Sequence, residues 1–214
     1  KNLSFNYPAG NLKILKDISF QLKNNKIYAI AGKNGAGKST LLDLLTGVLK
    51  PSNGKIFVNN NLDINNNIQN WQNNVGYVPQ DNFLLNDSIL KNICFGDDDI
   101  DINKFNKTIK QAELSEFIKN LPQKENTFVG DRGLRISGGQ KQRLGLARAL
   151  YKEKIFLAFD EATSAVDTKT EYNILNTLHK IKQNKIIVII AHRETTIKLC
   201  DEVLYLSEGK LLTE

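Results

Sequence analysis

The sequence contains no methionine, one tryptophan, four prolines and two cysteines among its 214 residues. The cysteines, Cys94 and Cys200, lack the spacing of a metal or redox motif, which favours reduced thiols in a cytoplasmic environment. No apolar run approaches the roughly 18 residues that a transmembrane helix needs, and the longest one, 186–191, suits a single buried strand. There is no signal-peptide pattern, and residues 1–7 already have the pattern of a strand. We therefore expect one globular domain with an inserted subdomain, belonging to a longer protein whose membrane-spanning part would lie outside this chain.

The chain is basic but has no concentrated basic patch. Its net charge is +6 and its isoelectric point is near 9.2, which permits binding to nucleic acid or to an anionic membrane. The lysines are scattered, and neither a dense arginine block nor an alternation of basic and aromatic residues occurs. We interpret the charge as a solvated surface and expect no nucleic-acid partner.

A glycine-rich turn follows the first strongly apolar run. Residues 27–31 predict a buried strand, and residues 39–49 predict a helix closed by Gly47 and Pro51. The turn between them fits the phosphate-binding pattern G-x-x-x-x-G-K-[ST], with Gly32, Gly37, Lys38 and Ser39 at its fixed positions. Such a turn offers bare backbone N–H groups to phosphate oxygens. The pattern predicts that Lys38 reaches the terminal phosphates of a nucleotide and that Ser39 ligates magnesium.

Two further apolar runs end in polar residues of catalytic type. The run 155–159 is followed by Asp160 and Glu161, and the run 186–191 is followed by His192. The carboxyl ends of parallel strands lie at one edge of a sheet, so these residues are expected to converge on the glycine-rich turn. Asp160 suits the second half of a magnesium site, while Glu161 can orient or deprotonate the attacking water. His192 can contact the terminal phosphate or that water.

A second glycine-rich helix start occurs at residues 136–140, ISGGQ, before a helix with apolar residues at Leu144, Ala147 and Leu150. A single nucleotide site hardly needs two such helix starts from one chain. The segment resembles the LSGGQ signature of ATP-binding cassette (ABC) ATPases. The resemblance covers nearly the whole chain, because four other short motifs follow the family's order: the aromatic of FNYP, the glutamine of GYVPQD, the SAVD segment and the histidine of AHR.

The resemblance implies a composite ATP site shared by two domains packed head to tail, with ATP and Mg²⁺ as cofactors. The catalytic residues would be Lys38, Gln80, Glu161 and His192. The ligands of Mg²⁺ would be Ser39, Gln80 and Asp160. The ATP-binding residues would be Tyr7, Gly32, Asn34, Gly35, Ala36, Gly37, Lys38, Ser39, Thr40, Gln80, Ser137, Gly138, Gly139, Gln140, Asp167 and His192. Tyr7 would stack on adenine, and the signature residues would close over the ATP of the partner domain.

The resemblance also implies an α/β fold of the P-loop NTPase class. This ABC ATPase fold would have a RecA-like core, a small antiparallel β subdomain and an inserted helical subdomain. The whole chain, 1–214, would be one ABC nucleotide-binding domain, with the core and β subdomain in 1–80 and 151–214 and the helical signature subdomain in 81–150. A transmembrane domain of the same polypeptide is expected N-terminal to this chain.

Segments 78–96 and 127–140 are similar to those of exporter-type ABC proteins, although Asp131 stands where glutamate is more common. The expected function is the ATP-hydrolysing motor of an exporter at the cytoplasmic face of a bacterial membrane. Its substrate would be lipid-like or lipid-linked, as in bacterial lipid and oligosaccharide flippases, or a peptide or drug. A homodimer is expected, with an asymmetric heterodimer as the alternative. The other hypotheses are a non-transport ABC ATPase acting on nucleic acid or ribosomes, and a regulatory nucleotide-binding module without turnover.

Two segments have an ambiguous pattern. The Asn-rich stretch 59–74 predicts polar turns within a small β region, because strand-like sequences flank it. The loop after Gln80 contains an unusual number of apolar residues, namely Phe83, Leu84, Leu85, Ile89 and Ile93. They predict either a surface that docks a transmembrane domain or part of the helical subdomain's own core.

Overall fold

Strands and helices occur along the whole chain in the computed structural model, which describes residues 1–8, 13–130, 134–162 and 165–212. The strands are β1 (Leu3–Asn6), β2 (Lys13–Ile18), β3 (Lys26–Gly32), β4 (Phe57–Val58), β5 (Leu62–Asp63), β6 (Val75–Val78), β7 (Asp87–Ser88), β8 (Phe128–Val129), β9 (Phe156–Asp160), β10 (Ile186–Ile190), β11 (Glu202–Ser207) and β12 (Lys210–Leu212). The helices are α1 (Lys38–Thr46), α2 (Ile68–Gln72), α3 (Ile89–Ile93), α4 (Ile102–Gln111), α5 (Ser115–Lys119), α6 (Gly138–Tyr151), α7 (Thr168–Ile181) and α8 (Glu194–Lys198). Asp131, and Ser164 of the SAVD segment, lie outside the described residues.

Internal contacts divide the chain into two units. The first contains Lys1–Tyr77, Ile155–Asp160 and Lys182–Glu214, and the second contains Val78–Lys154 and Glu161–Ile181. Each unit is therefore assembled from separate stretches of sequence. The division predicted from the sequence, with boundaries after residues 80 and 150, stays a prediction.

The first unit is built on a sheet whose described strands lie in the order β12-β11-β3-β10-β9-β6. β3 is parallel to β10 and β11, β10 is parallel to β9, and β12 returns antiparallel along β11. Ile190 pairs with Ile30 of β3 and with Asp160 of β9, so β9 and β10 end level with each other and β3 continues two residues further, to Gly32. The glycine-rich turn after β3 and Asp160 therefore lie at the same edge of the sheet. The predicted parallel α/β core is confirmed.

The core of the first unit consists of strands that are buried along most of their length. β3 is buried from Ile27 to Ala31, and β10 is buried from Ile187 to Ile190. α1 packs on β9 and β10 and contributes Leu41, Leu42 and Leu44, which are fully buried. Burial of each such side chain contributes about 1.5–3 kcal/mol, so the turn between β3 and α1 is anchored at both ends by the core.

α1 ends at Thr46, earlier than the predicted end at residue 49. Gly47 is left-handed, with φ 77°, and its N–H caps the carbonyls of Asp43 and Leu44. A side chain at Gly47 would also come within 2.5 Å of Ile68. The prediction that Gly47 closes the helix is confirmed, whereas the continuation to residue 49 was wrong, because a left-handed residue interrupts the helical hydrogen-bond ladder.

The Asn-rich stretch contains a helix that the sequence pattern did not indicate. After the antiparallel pair β4–β5, the side chain of Asn67 caps the first turn of α2. The Trp71 ring lies 5.3 Å from the ring of Phe156, and its indole N–H donates to the Leu45 carbonyl at 2.8 Å. The interpretation as polar turns was therefore wrong for residues 68–72. A short helix depends on tertiary contacts for its stability, and here one tryptophan provides them.

The second unit is mainly helical. α6 packs against α3 and α4, and its predicted apolar residues Leu144, Ala147 and Leu150 are buried. β7 and β8 form a short antiparallel pair, with Ser88 opposite Phe128. The predicted amphipathic character of α6 is thereby confirmed.

Among the helices of the described ranges, none combines the length and the apolar character needed to cross a bilayer. Cys94 is buried and Cys200 is half-buried, and both are free thiols, as the sequence predicts. Burial raises the pKa of the Cys94 thiol and raises the pKa of the Cys200 thiol to about 12, which disfavours the thiolate form of both.

Candidate functional site

The turn between β3 and α1 leaves backbone N–H groups open at a helix start. Gly37 takes the N-cap position in a left-handed conformation, with φ 99°, and no side chain caps the first turn of α1. Gly35 is also left-handed, in a turn closed by the hydrogen bond from the Ala36 N–H to the Lys33 carbonyl. Glycine adopts this conformation without the steric penalty of a Cβ. The uncapped N–H groups and the positive end of the helix dipole together form a site for an anion.

Lys38 folds back over this turn. Its ammonium donates to the carbonyls of Gly32 and Lys33, at 3.0 and 3.1 Å, and the residue is only 7% exposed. A side chain at Gly32 would lie 2.2 Å from the Leu206 carbonyl, so no larger residue fits there. Within the described ranges Lys38 forms no salt bridge and is held by neutral oxygens. Its charge is therefore available to an anionic ligand bound in the turn.

Ser39 and Asp160 are brought together at the edge of the sheet. The Ser39 hydroxyl donates to Oδ1 of Asp160 at 3.3 Å, and Asp160 is 6% exposed. Mg²⁺ in nucleotide sites is held by one or two protein oxygens together with phosphate oxygens and water, and this pair fits that donor set. The described residues contain no cluster of three or more His, Cys, Asp or Glu side chains that could hold a metal ion. An ion here would thus depend on a nucleotide and water for its remaining ligands.

Tyr7 lies beside the start of α1. Its hydroxyl is 3.3 Å from the hydroxyl of Thr40, and its ring meets the ring of Phe5 edge to face at 4.9 Å. Tyr7 is 44% exposed, so part of its surface stays accessible to a ligand. The structure places the predicted adenine-stacking residue next to the phosphate turn.

His192 leaves the sheet at the same edge. It follows the end of β10 by two residues and is exposed, while its neighbour Ala191 still donates to the Ile30 carbonyl at 3.2 Å. Asn34 in the turn is exposed and Ala36 is buried. Asn34 and Ala36 therefore lie in the turn before α1, and His192 lies at the same edge of the sheet.

In the second unit, Gln80 contacts Glu161. Nε2 of Gln80 donates to Oε2 of Glu161 at 3.3 Å. The backbone of Glu161 is left-handed, with φ 51°, which strains a residue that carries a side chain. Such strain persists only where surrounding contacts impose it, and it is common in active sites. The structure thus brings two predicted catalytic residues together and holds one of them in a strained conformation.

Ser137 begins α6 with a capping box. Its hydroxyl accepts the N–H of Gln140 at 3.2 Å, and Oε1 of Gln140 accepts the N–H of Ser137 at 2.8 Å. Ser137 and Gly138 are exposed. A side chain at Gly139 would lie 2.9 Å from the Ala165 carbonyl, so glycine permits the close approach of these two segments. The result is a rigid helix start whose glycine backbone faces solvent.

Asp167 begins α7 and is engaged in its first turn. Thr170 donates its hydroxyl to Oδ2 of Asp167 at 2.6 Å and its N–H to Oδ1 at 3.0 Å. These bonds from the Thr170 side chain and backbone lower the pKa of the Asp167 carboxyl. The local role of this carboxylate is helix capping, and its contact with ATP stays a prediction.

Gln142 was not singled out from the sequence, yet it links two predicted parts of the second unit. It is 6% exposed, donates from Nε2 to the Glu161 carbonyl at 3.3 Å, and accepts the N–H of Ala165 at 2.9 Å. One signal was available: Gln142 lies three and four positions before Gly145 and Leu146, so it faces the packed side of α6. A polar side chain in that position needs buried partners.

The apolar residues after Gln80 divide between surface and core. Phe83 is 71% exposed, whereas Ile89 and Ile93 are fully buried in α3. Leu84 and Leu85 are half-buried. The hypothesis of core packing is therefore confirmed for Ile89 and Ile93, and the docking surface stays a prediction, to which the exposed Phe83 could contribute.

The first unit contains a cleft of about 690 Å³, which lies at the opposite end of the strands from the glycine-rich turn. Its lining includes Phe156 and Ile186, which are the first residues of β9 and β10, together with Phe20, Ile56 and Trp71. Ligands of parallel α/β sheets bind at the carboxyl ends of the strands, whereas this cleft lies at the amino ends. It is not the candidate nucleotide site.

The sequence profile of one protein family, described as ABC transporter, matches residues 15–164. The iron-sulfur clusters transporter ATM1 of Candida glabrata mitochondria is 42% identical over 217 residues and includes all of this chain. The alpha-hemolysin translocation ATP-binding protein HlyB of Proteus vulgaris is 38% identical over 215 residues and also includes all of it. A solved structure of a bacterial Atm1-family ABC exporter with ATP bound superimposes on 99% of the chain, with a TM-score of 0.92 and 39% identity.

The similar region is one part of each of these longer proteins. The chain spans 30% of the length of each of the two relatives and 37% of the chain in the solved structure.

Proposed function

Because this chain is an ATPase domain of the ABC transporter family, we propose that it is the ATP-driven motor of an exporter. In this proposal ATP draws it into a head-to-tail dimer with a second such domain, and hydrolysis separates the two. The observation that carries the proposal is the contact between Ser39 and Asp160 beside an uncapped helix start. A nucleoside triphosphate with its magnesium ion suits both halves of that arrangement.

Binding would use the residues of the first unit. The open N–H groups of the turn and the Lys38 ammonium would hold the phosphates, and the exposed face of Tyr7 would stack on the base. Ser39 and Asp160 would hold Mg²⁺, which supplies neutralisation of the charge between the phosphates when it is bound. The similar exporter structure contains ATP, which supports the assignment of the ligand.

Hydrolysis would depend on Glu161 and on the Gln80 amide that contacts it. A carboxylate next to the metal-binding Asp160 in sequence can accept a proton from the attacking water. Gln80 would hold that carboxylate in place, and His192 would contact the terminal phosphate. The presence of a base argues against a regulatory module without turnover.

A second copy of the domain would complete the site. Ser137 and Gly138 are exposed and the capping box fixes the helix start, so the signature is ready to contact a phosphate group from outside its own chain. A symmetric dimer uses the same two surfaces in both copies, which suits a chain that carries one phosphate turn and one signature. The homodimer is our proposal for this reason.

A transmembrane domain would be the second partner. Phe83 and Phe128 of the second unit are 71% and 57% exposed, which is unusual for large aromatic side chains. The relatives are transporters in which this chain corresponds to 30% of the length. We propose that these exposed aromatic side chains belong to one surface, the aromatic surface, which docks the cytoplasmic ends of transmembrane helices of the same polypeptide, at the cytoplasmic face of a cell membrane.

The cargo is a separate question. One relative is named for a protein toxin and another for iron–sulfur clusters. Proteins similar to this domain are therefore named for different classes of substrate, and the similarity does not identify the cargo. The lipid-like or lipid-linked cargo expected from the sequence stays a prediction. A non-transport ATPase acting on nucleic acid has less support, because the relatives and the similar structure are transporters and the basic residues form no dense block in the sequence.

The proposed function is tested with Glu161→Gln. This change keeps the shape and the amide contact to Gln80 but cannot accept a proton, so we expect ATP to bind with little change while turnover falls by about 100-fold or more. ATP-held dimers should then accumulate, as measured by light scattering after size-exclusion chromatography. Glu208→Gln is the matched control, since Glu208 is also a left-handed glutamate but is exposed in the turn between β11 and β12, and this variant should keep full activity. Hydrolysis by the Glu161→Gln protein at the parent rate would contradict the role of Glu161.

A further inference from the structure

One face of α6, beyond the signature at its start, contacts the loop that follows Gln80. Three residues of α6 share this face, because they are spaced by four and then three positions. Each contacts one of three consecutive loop residues in the same order: Lys141 with Asp81, Gly145 with Asn82, and Arg148 with Phe83. The loop is therefore held in register along two turns of the helix.

The first two contacts differ in kind. Nζ of Lys141 forms a salt bridge with Asp81 at 2.8 Å, and both side chains are exposed. Asn82 is 3% exposed and fills the space where a side chain at Gly145 would stand, since a Cβ there would lie 2.3 Å from Oδ1 of Asn82. Nδ2 of Asn82 is buried without a hydrogen-bond partner among the described residues. A close approach at such a cost suggests that the position of the loop matters more than its stability.

Arg148 makes the third contact, and its three bonds all go to neutral oxygens. Nη1 donates to the Phe83 carbonyl at 3.0 Å, Nε to the Asn92 carbonyl at 2.9 Å and Nη2 to Oδ1 of Asn92 at 3.2 Å. Burial lowers the pKa of the Arg148 guanidinium. In the ranges that the structure describes, no carboxylate forms a salt bridge with Arg148. Arg148 is half-buried, and removing part of a cation from water without a counter-ion is unfavourable, which argues for a role other than stabilisation of the fold.

Asn92 extends this contact to the rest of the loop. It is 1% exposed, and its Nδ2 donates to the carbonyls of Leu85, Asp87 and Ser88 at 3.1, 3.3 and 3.0 Å. Its Oδ1 also accepts the N–H of Leu85 at 2.9 Å. One amide side chain thus fixes the backbone of three residues, Leu85, Asp87 and Ser88, and Arg148 ties that amide to α6.

We propose that Arg148, acting through Asn92, is a positioning residue that locks the loop 81–88 to α6 and so links the signature at the helix start to the aromatic surface at Phe83. This proposal rests on the proposed function, in which ATP of a partner binds the signature and Phe83 docks a transmembrane domain. Because α6 contacts the loop at three points, the helix and the loop would move together as one rigid body. Closure at residues 136–140 would therefore be transmitted to Phe83 without an intervening flexible segment.

The test measures amide hydrogen exchange by mass spectrometry in the Glu161→Gln chain, with and without ATP. In the parent we expect ATP to slow exchange in both 136–140 and 81–88. Arg148→Lys keeps the charge but loses the planar fork of donors. We therefore expect amide exchange in 81–88 to be about tenfold faster with ATP than in the parent, while exchange in 136–140 is still slowed by ATP. Arg143→Lys is the matched control, because Arg143 lies on the same helix but donates to the Glu113 carbonyl, and it should retain both effects.

Gly145→Ala provides a second variant should Arg148→Lys fail to fold. Alanine favours a helix interior over glycine, so α6 itself is not weakened, but the new Cβ displaces Asn82. We expect the same result as for Arg148→Lys, namely that ATP no longer slows exchange in 81–88 but still slows it in 136–140. Equal protection of 81–88 by ATP in the folded Arg148 or Gly145 variant would overturn the proposal. Absence of protection at 136–140 in every protein, the parent included, would instead contradict the proposed ATP-held dimer.

Discussion

The helices α1 and α6 both begin at glycine-rich segments, but their first turns are satisfied in different ways. The first turn of α1 follows a left-handed Gly37 and has no side-chain cap, and the adjacent Lys38 is buried. The first turn of α6 is closed by the capping box of Ser137 and Gln140, and its start is exposed. The first N–H groups of α1 therefore have no side-chain cap, whereas the start of α6 is capped and exposed to solvent.

The difference corresponds to two ways of binding an anion. An uncapped start has free N–H donors and needs a ligand to satisfy them, which suits the primary phosphate site. A capped start is already rigid and presents little more than glycine backbone and a hydroxyl, which suits a surface that closes over a ligand held elsewhere. If this assignment is correct, substitutions at the two helix starts should separate binding of ATP from its turnover.

The largest effect is expected at the uncapped start. Lys38→Ala removes the cation that faces the phosphates, and we expect ATP affinity to fall by about 100-fold and hydrolysis to be lost, since hydrogen bonds to charged groups contribute about 1.5–3 kcal/mol each. Fluorescent-nucleotide titration measures the affinity. Lys50→Ala removes an exposed lysine beyond the end of α1 and should change neither quantity. Normal ATP affinity in the Lys38→Ala protein would mean that the turn is not the phosphate site.

The second effect should appear only in turnover. Ser137→Arg places a bulky cation at the capped start, so we expect ATP to bind the phosphate turn normally while hydrolysis falls by about tenfold or more and no longer rises with protein concentration. Ser137→Ala is the control that separates obstruction from the lost cap, whose removal costs about 0.5–2 kcal/mol of stability. Parent activity that is constant over a hundredfold dilution, with the protein monomeric throughout, would contradict the shared site.

The smallest effect concerns the base. Tyr7→Ala removes the exposed ring, and we expect ATP and GTP affinity to fall together by about tenfold, because stacking contributes about 1–3 kcal/mol and tolerates any base. Tyr7→Phe keeps the ring and loses only the contact with the Thr40 hydroxyl, so it should bind nearly as the parent does. If Tyr7→Ala leaves affinity unchanged, Tyr7 is a packing residue alongside Phe5.

Short stretches of sequence were sufficient to predict the positions of residues at strand ends and helix starts. Gly32, Lys38 and Ser39 lie on a strand-to-helix turn as predicted, because a buried strand, a glycine turn and an amphipathic helix are all set by short-range pattern. The helix boundary was less accurate, since Gly47 could be recognised as a stop but not as a left-handed residue directly after Thr46. The helix at 68–72 was missed, because its stability comes from contacts of Trp71 with distant residues.

The sequence by itself determined the class of chemistry, since the phosphate turn, the acidic pair after β9 and the signature are each contained within a few consecutive residues. Only the tertiary structure decided which apolar residues after Gln80 are exposed, because periodicity indicates a face but not what covers it. It also decided the partners of Gln142 and Arg148, which are polar residues within an otherwise ordinary helix. Their acceptors lie between 19 and 65 positions away in the chain, and a contact of that range is fixed by packing and not by local pattern.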